Sequence, residues 1–355
     1  MKRWMYISSA ADKDLFRRLR DNGVTGVIGS CALAEAAGEA GLEVMLCGGA
    51  FPAQLCPGDQ HLAVDIRGKK RLWFGSCCPN HPETREQNLA AYRRMLDTPR
   101  IAGVLIDGAR FASPASSTAP ESFFTCFCPN CRRKMETFGL DPQRIAAAVS
   151  DLYAFLLEGG PPPQDREGLL QWMTFRRLSV EEHLRDFVRV IRSVPGVAAG
   201  AFVFAPSLSK MVGQCYRTLA EELDLLAPML YPAWPLTPTD PGPACLNGEL
   251  TALLRLMTAG GALSEPEALA CLSERMAADL PDAAALSAQL PASLVGSETA
   301  RAIREGKAAA ILPTLQLGDP LLAESIRAAH QAGAADLAFF AYAPQHDASL
   351  KLLSL

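Results

Sequence analysis

Histidine is scarce in this sequence: 355 residues hold only five, His61, His81, His183, His330 and His346, and no two stand as an HxH pair. That scarcity argues against a hydrolase built around an open catalytic zinc, which draws its ligands largely from histidine. An excess of positive charge is missing as well. With 34 Lys and Arg against 38 Asp and Glu, the formal net charge is −4, so no basic field gathers phosphate backbones and nucleic acid is not an expected partner. Long apolar runs are absent too. The opening "MKRWMYISSA" lacks the apolar run of a secretory signal, and no stretch reaches the ~18 apolar residues of a membrane span. These absences predict a cytoplasmic protein with no membrane partner.

What is present is core material. The chain is 49% hydrophobic and 20% charged, the composition of a globular protein. Its 11 cysteines are an odd count and too dilute for a disulfide scaffold, so in a reducing compartment most stay thiols. Cys31, Cys47, Cys56, Cys215, Cys245 and Cys271 stand alone in sequence and are expected to be small buried hydrophobes.

Short runs rich in Val, Ile, Leu and Phe recur, each followed by a segment of helical spacing, which is the pattern of βα units in a parallel sheet. They begin at Trp4, Val24, Glu43, Ala102, Ala198, Leu225, Ala309 and Leu337, eight in all. Between them lie helical segments such as Asp12 to Asn22, ended by Gly23, and a long one from Gln171 to Ser193. The latter carries Trp172, Phe175, Leu184 and Phe187 on one stripe, with Arg176, Arg177, Glu181, Arg185 and Arg189 on much of the remainder. Eight such units close most simply into a (β/α)8 TIM barrel of α/β class, with a doubly wound open sheet as the alternative. The barrel is expected to occupy residues 1–355 as one domain, with long insertions at about 108–170 after strand four and 232–308 after strand six.

In a barrel the reacting groups stand where strand C-termini meet their loops. Asp107 closes the fourth run in "VLIDGARF", with Arg110 three residues on; Tyr231 and Trp234 lie at the exit of the sixth. Gln316 and Asp319 follow the seventh, and Tyr342, Gln345 and His346 the eighth. A strand-end aspartate keeps its carboxylate solvated or paired, so Asp107 either faces the mouth or does structural work, pairing with Arg110 or capping the next helix. Aromatic faces beside carboxylates are what a sugar site requires, though Tyr231 and Trp234 serve equally as rim packing. Asp65, in "HLAVDIRGKK", is expected in a hairpin.

The stretch "TCFCPNC" places Cys126, Cys128 and Cys131 within six residues, and Cys78 in "SCCPNHPE" is the natural fourth ligand, with Cys77 and His81 as alternates. Four sulfurs leave no open position, so such a site would brace and not catalyse; structural zinc is the expected ion, with unliganded thiols or an iron–sulfur cluster as other readings.

In one order, the segments "HLAVDIRGKK", "CCPNHPETRE", "GVLIDGARFASP", "CFCPNCRRKMETFG", "WMTFRRLSVEEHLRDFVRVIR" and "GQCYRTLAEELDLLAPMLYPAW" span residues 61 to 235, about half the chain. They resemble glycoside-hydrolase-like (β/α)8 barrels related in fold to α-L-fucosidase-like and amylase-like enzymes. The resemblance implies a carbohydrate ligand and puts the strand-four aspartate, here Asp107 with Arg110, in the sugar site. Relatives commonly read "GQD" where this chain has Gly213, Gln214 and Cys215, and a bulkier aromatic where it has Gly108 and Ala109. Glycoside hydrolysis ordinarily needs two carboxyl groups. For the second, Asp319 ranks first, Asp240 next and Glu121 third, since each follows a strand end. The expected function is a glycoside hydrolase with Asp107 as nucleophile or base, Arg110 holding it ionised, and Tyr231, Trp234, Gln316 and Tyr342 contacting sugar. The alternative is a non-catalytic carbohydrate-binding barrel that lacks the second carboxylate.

Overall fold

A computed structural model of the chain describes residues 1–8 and 13–354. Eight parallel strands form a closed ring: β1 (Arg3–Tyr6), β2 (Gly26–Gly29), β3 (Glu43–Gly49), β4 (Gly103–Asp107), β5 (Ala198–Phe204), β6 (Leu225–Met229), β7 in two pieces (Ala310–Ile311 and Thr314–Gln316) and β8 (Leu337–Phe340). Each pairs with its sequence neighbours, and β8 pairs with β1 in the register Trp4↔Ala338, which closes the ring. The open-sheet alternative is thereby excluded. All eight runs read from the sequence are strands.

The inside of the ring is built by period two. One residue at or beside each strand forms a separate apolar plug: Trp4, Ile28, Met45, Leu105, Phe202, Ala227, Leu312 and Ala338. Side chains two positions further on point the same way, because successive strand residues face opposite sides. The layer above the plug is therefore Tyr6, Cys47, Asp107, Met229 and Phe340. The intervening residues, such as Met5, Val27, Val44 and Val104, pack outward against the helices in the larger apolar cluster. Gly26 sits beside Trp4 in register, and a Cβ there would lie 2.4 Å from the indole. The smallest residue makes room for the largest.

The long helix runs over Arg166–Ile191, five residues earlier at its start than the sequence predicts, because Asp165 caps it by accepting the Gly168 N–H at 3.0 Å. Its polar face departs from expectation. Arg176 is wholly buried and Glu181 nearly so. Carbonyls of the loops above reach down to the Arg176 guanidinium, which donates to Thr125 O at 2.9 Å, to Ala112 O at 3.3 Å, and to Phe123 O and Met211 O. It also stacks on Trp172, 4.1 Å from the ring centroid. Glu181 takes the Thr218 hydroxyl and Arg177.

The first helix, Lys13–Asp21, carries Leu15 and Leu19 inward as expected, while Asp12 lies outside the described residues. After β4 the chain makes two helices, Pro129–Thr137 and Pro142–Glu158, before the long one; after β6 it makes Leu246–Ala259, Glu265–Met276 and Ala283–Ala288 before Ser293–Glu305. The "HLAVDIRGKK" segment is a two-stranded hairpin, Ala63–Val64 with Lys70–Arg71, and the buried Asp65 carboxylate accepts from Arg71 Nε at 2.7 Å. Of the cysteines that stand alone, Cys56 and Cys245 are buried and Cys47 and Cys215 intermediate, but Cys31 and Cys271 are exposed, since each lies on the outer face of a surface helical turn. Among the described residues no helix is long and apolar enough to cross a membrane.

Gly26→Ala should test the plug. Forcing a methyl against Trp4 in a filled interior is expected to lower unfolding free energy by about 1–3 kcal/mol, read from urea denaturation.

Candidate active site

The layer above the plug forms the floor of a cavity of about 200 Å³ at the C-terminal end of the strands. Tyr6, Asp107, Phe202, Met229 and Phe340 line it from below, and Phe74, Arg110, Trp234 and Asp240 from the loops. Of the residues singled out in the sequence, Asp107, Asp240, Arg110, Tyr231 and Trp234 meet here. Three aromatic rings make a wall: Tyr231 stacks on Phe340 at 5.4 Å between centroids, and Trp234 lies 6.2 Å from Tyr231 and 6.0 Å from Phe340.

Asp107 is the last residue of β4, and Gly108 after it has φ +76°, a left-handed turn that glycine enters without strain. The chain bends there and leaves the carboxyl over the ring interior. Burial pushes the Asp107 carboxyl above the usual carboxylate range, and the Arg110 charge and the Gly108 N–H only partly oppose it. The same desolvation pushes the Tyr6 phenol and the Cys47 thiol up.

Among the described residues no ion pair joins Asp107 to Arg110; the arginine acts on it through space. Arg110 Nη1 donates to Ser116 Oγ at 2.7 Å and to Phe111 O at 3.1 Å, while buried Nη2 has no partner. Its guanidinium stacks between Phe74 and Phe204, each centroid 4.9 Å away, and burial lowers its pKa to about 10. Ser116 continues to Ser113 at 2.8 Å, and Ser113 donates to Glu249 Oε1 at 2.5 Å. Glu249 also accepts the Ala244 N–H at 2.9 Å, so one buried carboxyl ties the strand-four loop to the strand-six loop. Burial raises its pKa. Gln214 accepts from Phe204 N at 2.9 Å and donates to Ala109 O at 3.2 Å, fixing the turn after Asp107.

Asp240 reaches the cavity from the proline-rich loop. Its Oδ2 accepts the Trp234 indole N–H at 2.9 Å and its Oδ1 accepts Gly242 N at 3.0 Å, so the carboxylate also sets the indole's orientation.

The other candidates lie elsewhere. Asp319 accepts from Leu321 N and from the Ser325 hydroxyl, each at 2.9 Å, starting the helix Leu322–Gln331; that capping role keeps it away from the cavity despite its rank. Glu121 lies 4.0 Å from Arg71. Gln316 and His346 line a neighbouring surface groove on the other side of Trp234, and the Tyr342 hydroxyl is engaged by Arg18 and Asp347. Sequence reasoning missed Tyr6 and Phe340, which period-two counting from the plug would have found, and Phe202, a plug residue that reaches the cavity. It also missed Phe74, 46% exposed at the rim, and Glu249, which carries no sequence signal.

The four cysteines Cys78, Cys126, Cys128 and Cys131 do come together. All are buried, with Cys78 Sγ 3.5 Å from Cys128 Sγ, 3.5 Å from Cys131 Sγ and 3.7 Å from Cys126 Sγ. Sulfurs bound at ~2.3 Å to a tetrahedral ion are about 3.8 Å apart, so the set fits a structural metal. The Val64 N–H points at Cys126 Sγ (3.3 Å), the Cys131 N–H at Cys128 Sγ (3.4 Å) and the Asn80 amide at Cys131 Sγ (3.4 Å), donors that suit thiolates. Cys77 Sγ turns instead toward Cys56 O.

No protein-family model matches the chain, and no curated protein does. Solved structures do. The glycoside hydrolase domain of PgaB (BpsB) from Bordetella bronchiseptica superposes with a TM-score of 0.59 at 13% identity, over 100% of this chain and 99% of that one. A β-galactosidase from Marinomonas ef1 gives 0.60 at 12% identity over 100% of this chain, which spans 59% of that enzyme. The catalytic domain of a Paenibacillus polymyxa β-amylase gives 0.56 at 13%, over 96% and 92%. The likeness is one of fold, a (β/α)8 barrel.

If the cysteines hold an ion, Cys131→Ser should lower the melting temperature by several degrees. A chelator should lower the parent protein similarly and the variant no further, measured by thermal denaturation.

Proposed function

We propose that the protein is a glycoside hydrolase acting on a glycan at the barrel mouth, with Asp107 and Asp240 as its two carboxyl groups. The observation that carries this reading is that both line one aromatic-walled cavity over the closed end of the plug. Three solved structures of similar fold, described as glycoside hydrolase, β-galactosidase and β-amylase, lend it support.

The surroundings favour a division of labour. A carboxyl raised by burial holds its proton where an ordinary one has lost it, so Asp107 acts as the acid that protonates the leaving glycosidic oxygen. This replaces the nucleophile or base role expected from sequence, because desolvation disfavours the anion more than Arg110 sustains it. Asp240 then attacks the anomeric carbon or activates water. Trp234, oriented by Asp240, and Tyr231 cover the apolar face of a sugar ring, and Arg110 Nη2 offers an unused donor. Zinc is the ion proposed for the four cysteines, since a closed sulfur set fits it and neither redox nor an open position is needed.

A second reading, a carbohydrate-binding barrel without turnover, is favoured by one observation: both Asp240 oxygens already accept N–H bonds within their own loop.

Two substrate series separate the readings. With the proton donor removed, Asp107→Asn is expected to lose about 10²–10⁴-fold in kcat/KM on glycosides with poor leaving groups, and far less on dinitrophenyl glycosides that leave unaided. The parent enzyme should lose activity on the alkaline side as Asp107 gives up its proton, at a pH above the ordinary carboxylate range. Equal loss on both series would make Asp107 the nucleophile; binding of oligosaccharide by calorimetry with no turnover on any aryl glycoside would establish the binder.

A further inference from the structure

His81 was an alternate ligand for the cysteine cluster, and the structure directs it elsewhere. Its ring turns to His61, Nδ1 facing Nδ1 at 3.2 Å, with ring centroids 4.3 Å apart. Two imidazole nitrogens held by one tetrahedral ion at ~2.0–2.1 Å are about 3.3 Å apart, so the pair already has the separation of co-ligands. The Glu83 carboxylate stands beside them. One ligand atom from each of the three residues lies within 4.8 Å of the others.

We propose that His61, His81 and Glu83 form a second metal site, separate from the four cysteines, for a divalent transition ion of the zinc class. Imidazole nitrogen selects such an ion over magnesium or calcium, which seek oxygen. Two histidines and one carboxylate leave a fourth position, and with Glu83 exposed that position opens to solvent.

The supporting parts are in place. His61 is buried at 2% exposure, so its ring is fixed, while the exposed Glu83 carboxylate stands 3.7 Å from His61 Nε2 and would have to turn toward Nδ1 to reach the ion. Gln60 lies 3.1 Å from His61 Nε2 through its amide. With the amide turned about, its oxygen accepts the Nε2 proton and leaves Nδ1 as the ligand. Glu83 belongs to the first turn of the helix Pro82–Met95, directly after His81 at the N-cap. The two sites share one residue: Cys78 N donates to His61 O at 2.8 Å, and His81 N donates to Cys78 O at 3.2 Å. Filling the sulfur site therefore sets the backbone from which both histidines project.

Cobalt titration of the reduced, metal-stripped full chain, followed by absorption, reads the two sites apart. The first equivalent should bring intense sulfur-to-metal charge-transfer bands; the second should add only weak d–d absorption. In His81→Ala the sulfur bands are expected unchanged and the second equivalent lost; in Glu83→Gln its affinity should fall about 10–100-fold. Calcium in excess should not displace it. The proposal fails if the parent protein takes up one equivalent only, if His81→Ala still binds two, or if Glu83→Gln binds the second as tightly as the parent. It fails also if His81→Ala abolishes the sulfur bands, which would make the imidazole part of the cysteine site. Because no step of glycoside hydrolysis is involved, these outcomes are independent of the catalytic reading.

Discussion

Strand alternation inside a closed ring is the constraint on which everything else rests. Eight side chains, drawn from all eight strands, fill the interior, and once they are fixed the residues two positions onward have no choice but to face the mouth. Asp107 is over the cavity because Leu105 is in the plug. The same rule brings Tyr6, Met229 and Phe340 to its side, and it makes the floor apolar enough to push a carboxyl among them above the usual carboxylate range.

Above that floor the two long insertions are held by buried polar groups. Arg176 gathers carbonyls from the strand-four loop and from the segment after β5; Glu249 joins the strand-four loop to the strand-six loop; four cysteines draw the strand-three loop to the strand-four loop. Each is fully desolvated and each is multiply partnered, the condition under which burying such groups is tolerated. Removing one would leave several others unsatisfied, so the roof is cooperative in a way that an apolar packing would not be.

The strands were legible because each is a short apolar run bounded by helical spacing, and the eightfold count carried the fold with it. The cysteine set was legible because CxCxxC is local and only its fourth member had to be found across the chain. Asp240 was harder: it sits far down a proline-rich loop, and rank by strand exit favoured Asp319, which a local turn had claimed for capping. Arg176 and Glu249 left no trace. The carbonyls that Arg176 binds lie 35 to 64 residues away and the Ser113 hydroxyl that Glu249 accepts lies 136 away, and a charged residue on a helix reads as solvent-facing until tertiary structure covers it.

One irregularity interrupts the ring. The seventh strand is divided at Leu312 and Pro313, and proline brings no N–H to the ladder, so its pairing with the sixth strand is interrupted between Ile311 and Thr314. The fourth strand, separated from the sixth by β5 alone, is paired without interruption on both flanks. Asp107 is thereby mounted on a strand whose ladder is unbroken, and the one divided strand lies three places further round the ring.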